Sequence, residues 1–371
     1  MSGPRFVRGI KLFFRLFLHL AKYMTVNIFF SQENGMSEPL GIGIVGYGKV
    51  ASSQHRNWIS TREDTRIAAV CDVTDVRRET AAAENPGADI YEIYEDMLEQ
   101  ENAELILITT PPNTHCELAL KAIEKGRHVI VDKPFAMNLD EANRMLAAAE
   151  KQGTVIHCNQ SRRYDGEYRA IVRAAEEGMI GEIHHIRRVW SQYGTVWANW
   201  GVEGFNPTWR IQREFGGGMV YDYAPHCGDQ VLKLINRPLK SVFADTRSLK
   251  FSEEVDDHFS CMMRFEGGAT VYLEASNMAM LAARPWYVIG STGCITADKI
   301  NGPIQVFREG SGAPEELPAV DEKDDLYDNI VNACRGKGSP NVTPAELRAS
   351  MGLIDAIFES AKRGKAVHME V

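Results

Sequence analysis

Residues 41–51 read GIGIVGYGKVA, a short apolar run that leads into closely spaced glycines. Two overlapping glycine patterns fit it, one that starts at Gly41 and one that starts at Gly46. The first would place a tight turn inside an apolar strand, so we discard it. The second follows the strand and opens a helix, whose N-terminal amides and dipole hold a pyrophosphate. In this pattern Gly46 makes the turn, Gly48 lets the backbone approach the phosphates, and Ala51 lets the helix pack closely on the strand.

An acidic residue follows at the distance that a dinucleotide site requires. The second predicted strand, Arg66–Cys71, ends at Asp72, whose carboxylate can accept hydrogen bonds from the adenosine ribose hydroxyls. The same carboxylate would repel a 2′-phosphate, which favours NAD over NADP. Arg77 and Arg78 leave room for NADP, although two arginines at this place are also typical of a solvated helix face.

Strands and helices alternate from residue 40 to about residue 160. Further apolar strands are predicted at Ile90-Tyr91, Glu104–Thr109, His128–Val131 and Val155–Cys158, with helices between them. Continuous apolar strands separated by helices of this length are typical of a parallel sheet that is covered on both faces. We therefore predict an α/β fold with an N-terminal Rossmann dinucleotide-binding domain over residues 37–160.

The pattern changes after residue 160. A helix is predicted at 164–177, a strand at 182–191, a loop at 194–215, a helix at 219–235, and later strands at 286–290, 295–298 and 304–308. Alternating apolar residues on both sides of Gly267-Gly268 predict a hairpin with a two-residue loop. These features predict a C-terminal α+β domain over residues 161–371 with a large, mostly antiparallel sheet. Two helices close the chain, the last capped by Thr343 and Glu346, and they are candidates to pack back toward the first domain.

Composition excludes several classes of function. The chain has 371 residues, enough for two domains, and a formal net charge of −9, which argues against nucleic acid as a partner. The seven cysteines are scattered, without a CxxC pair or a Cys/His ligand spacing. This pattern is typical of reduced thiols in a reducing compartment, so we expect a cytoplasmic protein without disulfides or a metal site.

The first 36 residues differ from the rest of the chain. Residues 1–30 contain no acidic residue, and their basic residues share about one third of a helix circumference. The segment is too charged to span a bilayer, so it predicts either a membrane-surface helix or a targeting leader. The alternative is a start site assigned too early, because Met36 precedes the first strand by only a few residues.

Two further segments carry residues suited to proton transfer. Lys133 follows the predicted strand at 128–131, at the carboxyl edge where parallel sheets bind ligands. Asp222 and His226 are four residues apart in the predicted helix after a triple glycine, so they share one helical face, with Asp229 nearby. A histidine beside a carboxylate suits removal of a proton from an alcohol. Taken alone, such a lysine is usually a surface residue, and such a pair can be a solvated i,i+4 contact.

Five motifs occur in one order along the chain. They are Gly46-x-Gly48-x-x-Ala51, Thr110-Pro111-Pro112-Asn113-x-His115, Asp132-Lys133-Pro134, Arg162-Arg163-Tyr164-Asp165 and Gly217-Gly218-x-x-x-Asp222-x-x-x-His226-x-x-Asp229. The full series resembles the glucose–fructose oxidoreductase/inositol dehydrogenase/MocA family, from about residue 40 to the C-terminus. No single motif is specific at family level, but the series is. The layout is most similar to that of scyllo-inositol dehydrogenases, particularly over 159–165 and at Trp209-Arg210.

The resemblance implies a catalytic set of Lys133, Asp222 and His226. His226 would remove the hydroxyl proton, and Lys133 would hold that oxygen and favour its developing negative charge. Asp222 would orient His226. The family has glutamate where this chain has Asp132, which is a conservative change. The resemblance further implies a cis peptide at Lys133-Pro134 and a reaction that needs no metal.

The glycine pattern and the resemblance together give two sets of candidate binding residues. Those expected at the cofactor are Gly46, Tyr47, Gly48, Lys49, Val50, Asp72, Arg77, Thr110, Pro111, Asn113, His115, Asp132 and Lys133. Those expected at the substrate are Arg162, Arg163, Tyr164, Trp209, Arg210 and Tyr223, with Trp197 near them in sequence. Aromatic faces beside multivalent donors suit a cyclic polyol or sugar, although the tryptophans could instead form a hydrophobic floor or a subunit contact.

The main hypothesis is an NAD(P)-dependent dehydrogenase that acts on CH–OH groups of a cyclic polyol or sugar. A second is a catalytically silent dinucleotide-binding regulator, against which the retention of Lys133, Asp222 and His226 argues. A third is glycoside cleavage by transient oxidation with tightly held NAD.

The resemblance also implies a homodimer or homotetramer that pairs through the open face of the second sheet, with no nucleic-acid partner and no integral membrane span.

Overall fold

The structure, a computed structural model, describes residues 38–194, 206, 208–321 and 326–369. The predicted basic leader of residues 1–36 and the candidate Trp197 lie outside these residues. Among the helices in the described part of the chain, none is long and apolar enough to cross a membrane.

The first half of the described chain forms a six-stranded parallel sheet in the order β3-β2-β1-β4-β5-β6. Its strands are β1 (Leu40–Val45), β2 (Thr65–Cys71), β3 (Asp89–Tyr91), β4 (Leu105–Ile108), β5 (His128–Val131) and β6 (Ile156–Cys158). Every residue of β1 and β4 is buried, because helices cover both faces of the sheet. This strand order and this burial confirm the predicted Rossmann fold.

Helices follow the strands of this sheet in turn. They are α1 (Arg56–Ser60), which continues a π-helical turn over Ala51–His55, then α2 (Asp75–Glu84), α3 (Tyr94–Leu98), α4 (His115–Glu124) and α5 (Leu139–Gln152). Gly46 follows β1 with a φ of 84°, and its amide donates to the Cys71 carbonyl at 2.8 Å. Most side chains are strained in this conformation, which explains the glycine at the turn. Gly41 and Gly43 instead lie inside β1, as predicted.

A second sheet contains nine strands within the described residues, in the order β14-β13-β12-β11-β7-β10-β9-β8-β15. They are β7 (Ile183–Ser191), β8 (Leu239–Arg247), β9 (His258–Phe265), β10 (Thr270–Ser276), β11 (Trp286–Gly290), β12 (Gly293–Ala297), β13 (Ile304–Arg308), β14 (Glu315–Leu317) and β15 (Val367–His368). β7 and β10 pair in parallel, and the other neighbours in this order are antiparallel. The prediction of a large, mostly antiparallel sheet is confirmed.

The second sheet also corrects the prediction in detail. The loop between β9 and β10 has four residues rather than two, because Glu266 joins the two glycines in a 3₁₀ turn and Ala269 precedes β10. The Phe265 amide closes that loop on the Ala269 carbonyl at 2.9 Å. Strands β8, β14 and β15 have no counterpart in the prediction, since polar residues interrupt β8 and the other two are too short to show a pattern. β15 follows the last helix and pairs with β8, so the described chain does not close on a helix.

The helices of the second half connect the two sheets. They are α6 (Gly166–Glu176), α7 (Met219–Ile235), α8 (Leu326–Cys334) and α9 (Pro344–Arg363). The Thr343 and Glu346 side chains form the predicted capping box at the start of α9. α8 packs Tyr327 into the same core as β1, and α9 lies against both α5 and β8. The Leu139 amide of α5 donates to the Asp355 carboxylate of α9 at 2.9 Å, so the two sheets share these helices.

We expect Gly41→Ala to destabilise the first sheet. A Cβ at this position would lie 1.8 Å from the Asn102 carbonyl oxygen, so the backbone of β1 or of the loop before β4 must move. Overpacking of this kind costs about 1–3 kcal/mol of unfolding free energy, which a urea titration measures. Gly87→Ala is the matched control, because a Cβ at Gly87 would meet no atom within 4 Å. Equal denaturation midpoints for the two variants would contradict this account of β1.

Candidate functional site

A cavity of about 1100 Å³ lies along the carboxyl edge of the first sheet. It is lined by the glycine turn after β1, the segments after β4 and β5, the first turns of α7 and the 3₁₀ turns that precede α7. Pockets for one drug-sized ligand measure roughly 300–1,000 Å³, so this cavity has room for a long ligand and a second, smaller one. Its position agrees with the rule that open parallel sheets bind ligands at the carboxyl ends of their strands.

The glycine turn is open to this cavity. The residues of the turn that line it are Gly46, Gly48, Lys49 and Val50. A Cβ at Gly48 would meet no atom within 4 Å, so space remains beside the backbone of the turn. Backbone amides at such a turn suit an anionic group such as a pyrophosphate.

Asp72 lines the cavity, and its carboxylate already accepts hydrogen bonds from neighbouring residues of the protein. Its Oδ2 accepts the Tyr47 amide at 2.7 Å, and its Oδ1 accepts the amide and the hydroxyl of Thr74, both at 2.9 Å. A carboxylate accepts about four hydrogen bonds, so roughly one acceptor position remains for a ligand. The Tyr47 ring, expected at the cofactor, lies outside the cavity wall, and its hydroxyl donates to Glu84 at 2.7 Å.

The two arginines of α2 lie beside Asp72. Arg77 lines the cavity and is 5% exposed, so it does not belong to a solvated helix face. Arg78 donates to the Asp72 carbonyl at 2.8 Å and pairs with the carboxylates of Asp75 and Glu92. Asp72, whose carboxylate is expected to favour NAD, and Arg77, which is expected to leave room for NADP, therefore both line this cavity.

The segment after β4 places Thr110, Pro111 and Asn113 in the cavity wall. His115, expected with them, lies behind the wall and is 1% exposed. Its ring nitrogens lie 2.9 Å from the Pro134 carbonyl oxygen and 2.8 Å from that of Thr110. His115 therefore joins two segments of the wall instead of facing a ligand.

An ion pair between Lys133 and Asp222 joins the first sheet to α7. Lys133 follows β5, and the peptide that links it to Pro134 is cis, as expected. Its ammonium donates to the Asp222 carbonyl oxygen at 2.8 Å and pairs with the carboxylate of the same residue. The two side chains are 17% and 20% exposed. Lys133 is therefore not a surface lysine, and Asp222 is not part of a solvated pair.

The charges around this pair perturb both acid–base groups of α7. Burial raises the pKa of the Asp222 carboxyl, but neighbouring cations, Lys133 foremost, outweigh it and leave that pKa below its ordinary value. His226 lines the same cavity and is 9% exposed. Burial lowers the pKa of its imidazole well below 6.5, and Lys133, Arg162 and Arg188 add to this effect. The site thus combines an ionised carboxylate with a neutral imidazole.

The expected contact between Asp222 and His226 is not formed. The Asp222 carboxylate turns to Lys133, and His226 Nδ1 is buried without a hydrogen-bond partner among the described residues. Asp229, the other nearby carboxylate, is held by Arg163. Burial first, and neighbouring cations after it, rather than a carboxylate, therefore set the pKa of the His226 imidazole.

A buried carboxylate fixes the start of α7. Asp256 accepts the Val220 amide at 2.8 Å, and burial raises the pKa of its carboxyl to about 7. The Gly218 amide donates to the Arg210 carbonyl at 2.9 Å, which ties the glycine run to the 3₁₀ turn Trp209–Ile211. The same helix start therefore positions Asp222 and His226 on one side and the 3₁₀ turn on the other.

The second half of the chain contributes these candidate substrate residues to the cavity wall: Arg162, Trp209, Arg210 and Tyr223. The Arg162 guanidinium lies 4.2 Å from the centre of the Trp190 ring, and the Tyr223 ring lies 4.7 Å from it. The Arg210 guanidinium lies 4.2 Å from the centre of the Trp209 ring. Cationic donors and aromatic faces are therefore combined on this wall.

Arg163 and Tyr164, the other candidates, do not line the cavity. Arg163 donates to both carboxylate oxygens of Asp229, at 2.7 and 2.6 Å, and to the Asn341 carbonyl at 3.0 Å. The Asn341 side chain donates to the Tyr164 hydroxyl at 2.8 Å. Both residues are thus engaged in packing against α7 and the segment before α9, and the substrate set proposed below leaves them out.

The cavity wall also contains residues without a predicted role, among them Asn159 and Gln192. Gln192 Oε1 accepts hydrogen bonds from the Tyr223 hydroxyl and from Trp190 Nε1, both at 3.3 Å. Asn159 directly follows β6, so the carboxyl-edge rule could have located it. Gln192 follows a strand of the second sheet, and no local pattern marks it.

Comparison with known proteins gives two family matches. The GFO_IDH_MocA family model, an oxidoreductase family with an NAD-binding Rossmann fold, matches residues 40–160. The GFO/IDH/MocA C-terminal domain matches residues 168–296. The two matches fall on the first sheet and on much of the second.

Individual relatives match over most of the chain. The scyllo-inositol 2-dehydrogenase (NADP(+)) IolW of Bacillus subtilis is 22% identical over 330 residues, which are 89% of this chain and 88% of that protein. The myo-inositol 2-dehydrogenase of Thermotoga maritima is 26% identical over 281 residues, 73% of this chain and 79% of that protein. Among solved structures, an NAD-binding protein from Listeria innocua is 30% identical, with a TM-score of 0.79 over 90% of this chain and 97% of that one.

Proposed function

Because the chain belongs to the glucose–fructose oxidoreductase/inositol dehydrogenase/MocA family of oxidoreductases, we propose that it oxidises a secondary alcohol of a cyclic polyol or sugar with NAD as the hydride acceptor. The observation that carries the proposal is a single cavity in which the open glycine turn lies together with Lys133, Asp222 and His226. The catalytic roles of these three residues are part of the proposal.

The residues of the cavity fit a dinucleotide. Open space beside Gly48 admits a pyrophosphate, and Asp72 lies at the strand end that binds an adenosine ribose in such folds. When bound, the dinucleotide supplies the acceptor for the hydride. The part of the cavity that the dinucleotide does not fill is lined by Lys133 and His226, and it suits a small substrate.

The three polar residues then have distinct roles at the alcohol. His226 accepts the hydroxyl proton, since its imidazole is neutral and carries a lone pair. Lys133 Nζ donates to the same oxygen and stabilises the negative charge that develops on it. Asp222 holds Lys133 in place through the partly buried ion pair, and so acts on the lysine rather than on the histidine.

The preference for NAD rests on Asp72. Its carboxylate keeps about one acceptor position for a ribose hydroxyl, and its charge would repel a 2′-phosphate. Arg77 lines the same cavity, and the Bacillus subtilis relative carries NADP(+) in its name. Each substrate is therefore assayed with NAD and NADP separately, and higher kcat/KM with NAD is the expected result.

A polyol or sugar fits the wall opposite the ion pair better than an apolar alcohol does. Arg162 and Arg210 present several donors, and Trp209 presents an aromatic face on which a saturated ring can lie. The two named relatives above are inositol dehydrogenases, which agrees with a ring that carries several hydroxyl groups.

The test is formation of reduced dinucleotide with a panel of inositols and aldoses. We expect the wild type to oxidise at least one, and His226→Ala and Lys133→Met to lose about 10²–10⁴-fold in kcat/KM while they still bind dinucleotide. His368→Ala is the matched control, because this exposed histidine lies in β15 at the edge of the second sheet.

Undiminished turnover by His226→Ala would contradict the assignment of the base. Tight dinucleotide binding by the wild type, with no oxidation of any compound in the panel, would contradict the proposed reaction and favour a regulatory role.

The pH dependence follows from the lowered pKa of His226. A histidine with a depressed pKa stays neutral, and able to accept a proton, while the pH falls through its ordinary value near 6.5. We therefore expect kcat/KM for the polyol, at saturating dinucleotide, to stay level from about pH 8 to about pH 6 and to fall only at lower pH. A titration limb centred near pH 6.5 in a protein that remains folded would contradict this assignment.

We also propose that copies of the chain pair through the open face of the second sheet. Strand register aligns one residue from each of five adjacent strands in a row: Phe243, Met262, Tyr272, Arg187 and Tyr287. Phe243, Met262 and Tyr287 are 51%, 44% and 40% exposed. Exposed apolar and aromatic side chains on neighbouring strands, here with Arg187 among them, are typical of a protein–protein contact.

Light scattering after size exclusion tests this pairing. We expect a homodimer or homotetramer for the wild type and a monomer for Phe243→Glu combined with Met262→Glu, because charges buried in an apolar contact are costly. Leu249→Glu is the control, since Leu249 is 55% exposed but lies beyond the end of β8. A monomeric wild type would contradict the proposal.

A further inference from the structure

Asn159 lies where the cavity meets a buried chain of polar side chains. It follows β6, is 2% exposed, and lines the cavity together with Asp132. Its Nδ2 lies 2.9 Å from Asp132 Oδ1 and 3.2 Å from His55 Nε2. These contacts connect the end of β5, the end of β6 and the helical turn after the glycines.

The two contacts fix the orientation of the Asn159 amide. Asp132 Oδ1 accepts hydrogen bonds, so the NH₂ group of Asn159 must face it, and the reversed amide would set two acceptor oxygens against each other. The second hydrogen of that NH₂ group is directed to His55 Nε2, which must therefore carry a lone pair.

His55 is held in the matching form. Its side chain is fully buried, and burial lowers the pKa of its imidazole to about 4, although Asp132 acts in the opposite direction. The imidazole is therefore neutral near pH 7 and carries one N–H. His55 Nδ1 lies 2.8 Å from the Tyr327 hydroxyl of α8, so Nδ1 donates to Tyr327 while Nε2 accepts from Asn159.

This arrangement leaves one hydrogen-bond acceptor of Asn159 without a donor. Asn159 Oδ1 is buried, and no group among the described residues donates a hydrogen bond to it. A buried acceptor without a donor is costly, and such atoms usually meet a ligand or a water. Because both Nδ2 hydrogens are engaged with Asp132 and His55, Oδ1 is the polar atom left without a partner in a side chain that lines the cavity.

We propose that Asn159 Oδ1 accepts a hydrogen bond from the nicotinamide half of the dinucleotide, and that His55 is the residue that positions Asn159 for this contact. The donor is the carboxamide amine or a hydroxyl of the nicotinamide ribose, which are the N–H and O–H groups of that half. The inference rests on the proposed function for one point, the placement of the nicotinamide beside Lys133 and Asp132. His55 does not reach the dinucleotide and acts through Asn159.

Calorimetric binding to the full chain tests the contact without turnover. We expect Asn159→Leu, which keeps the side-chain volume but removes the acceptor, to bind NADH about 10-fold more weakly than the wild type and to bind ADP equally well. ADP lacks the nicotinamide half and so reports on the fold and the adenosine end. Unchanged affinity for NADH, or an equal loss for ADP, would overturn the proposal. Asn159→Ala gives the same readout where the leucine variant does not fold.

Two analogues identify the donor. ADP-ribose keeps a ribose at this end but no nicotinamide, and the reduced acetylpyridine analogue of NADH has a methyl group in place of the carboxamide amine. A loss of ADP-ribose affinity in Asn159→Leu assigns the donor to the ribose. A loss confined to NADH, with the wild type binding the acetylpyridine analogue as weakly as the variant binds NADH, assigns it to the carboxamide.

The positioning role of His55 has its own variants. His55→Leu removes one of the two acceptors that hold the Asn159 amide, so we expect a selective loss for NADH, and His55→Gln, whose amide oxygen can replace Nε2, restores most of the affinity. His157→Leu is the matched control, because His157 is also fully buried but contacts Asn341, outside this network. Equal NADH affinity in His55→Leu and the wild type, or an equal selective loss in His157→Leu, would overturn the role.

The binding experiments on Asn159 and His55 can succeed or fail independently of the test of the proposed reaction. If the wild type binds NADH and the selective loss is seen, but no polyol is oxidised, the reaction is wrong and the Asn159 contact stands. If a polyol is oxidised and Asn159→Leu binds NADH normally, the contact alone is wrong.

Discussion

The partly buried ion pair between Lys133 and Asp222 is the contact on which the rest of the site depends. Charges partly withdrawn from water are destabilising unless they are paired, so each side chain stabilises the other in its place. Lys133 belongs to the edge of the first sheet and Asp222 to the first turn of α7. The pair therefore requires α7 to lie against β5, and this docking brings His226 to the cavity that the glycine turn opens.

The same charges explain why the proposed chemistry suits this place. At Asp222 burial raises the pKa of the carboxyl, but the neighbouring cations, Lys133 foremost, outweigh burial and leave the carboxyl ionised. Burial lowers the pKa of the His226 imidazole, and Lys133 lowers it further, so the imidazole is neutral. Arg188, fully buried in β7 behind the cavity, acts on His226 in the same direction. The second sheet thus contributes to the acid–base properties of the site as well as to its walls, and in the proposed reaction a neutral base faces an alcohol that Lys133 polarises.

Local sequence patterns predict the site residues whose contacts are close in sequence. They also predict the residues whose position follows from the order of the strands in a parallel sheet. The turn after β1 and Asp72 obey the strand–turn–helix repeat, and Lys133 follows from the carboxyl edge of a parallel sheet. Arg163 is expected at the substrate because it lies near the catalytic segments in sequence, but its partner Asp229 is 66 residues away. His55 and Tyr327 are 272 residues apart, and no local pattern reports such a contact. Strand β15 is missed for the same reason, since its two residues pair with β8, which lies far earlier in the chain.

In the proposed reaction Lys133, at the edge of the first sheet, and His226, in α7, act on one substrate atom in one cavity. A crystal structure of the protein with NAD and an oxidisable polyol tests this claim most directly. The account predicts a pyrophosphate at Gly46–Val50 and one substrate hydroxyl within hydrogen-bond distance of both Lys133 Nζ and a ring nitrogen of His226. A substrate hydroxyl held away from either group, or a dinucleotide bound outside the cavity, would contradict it.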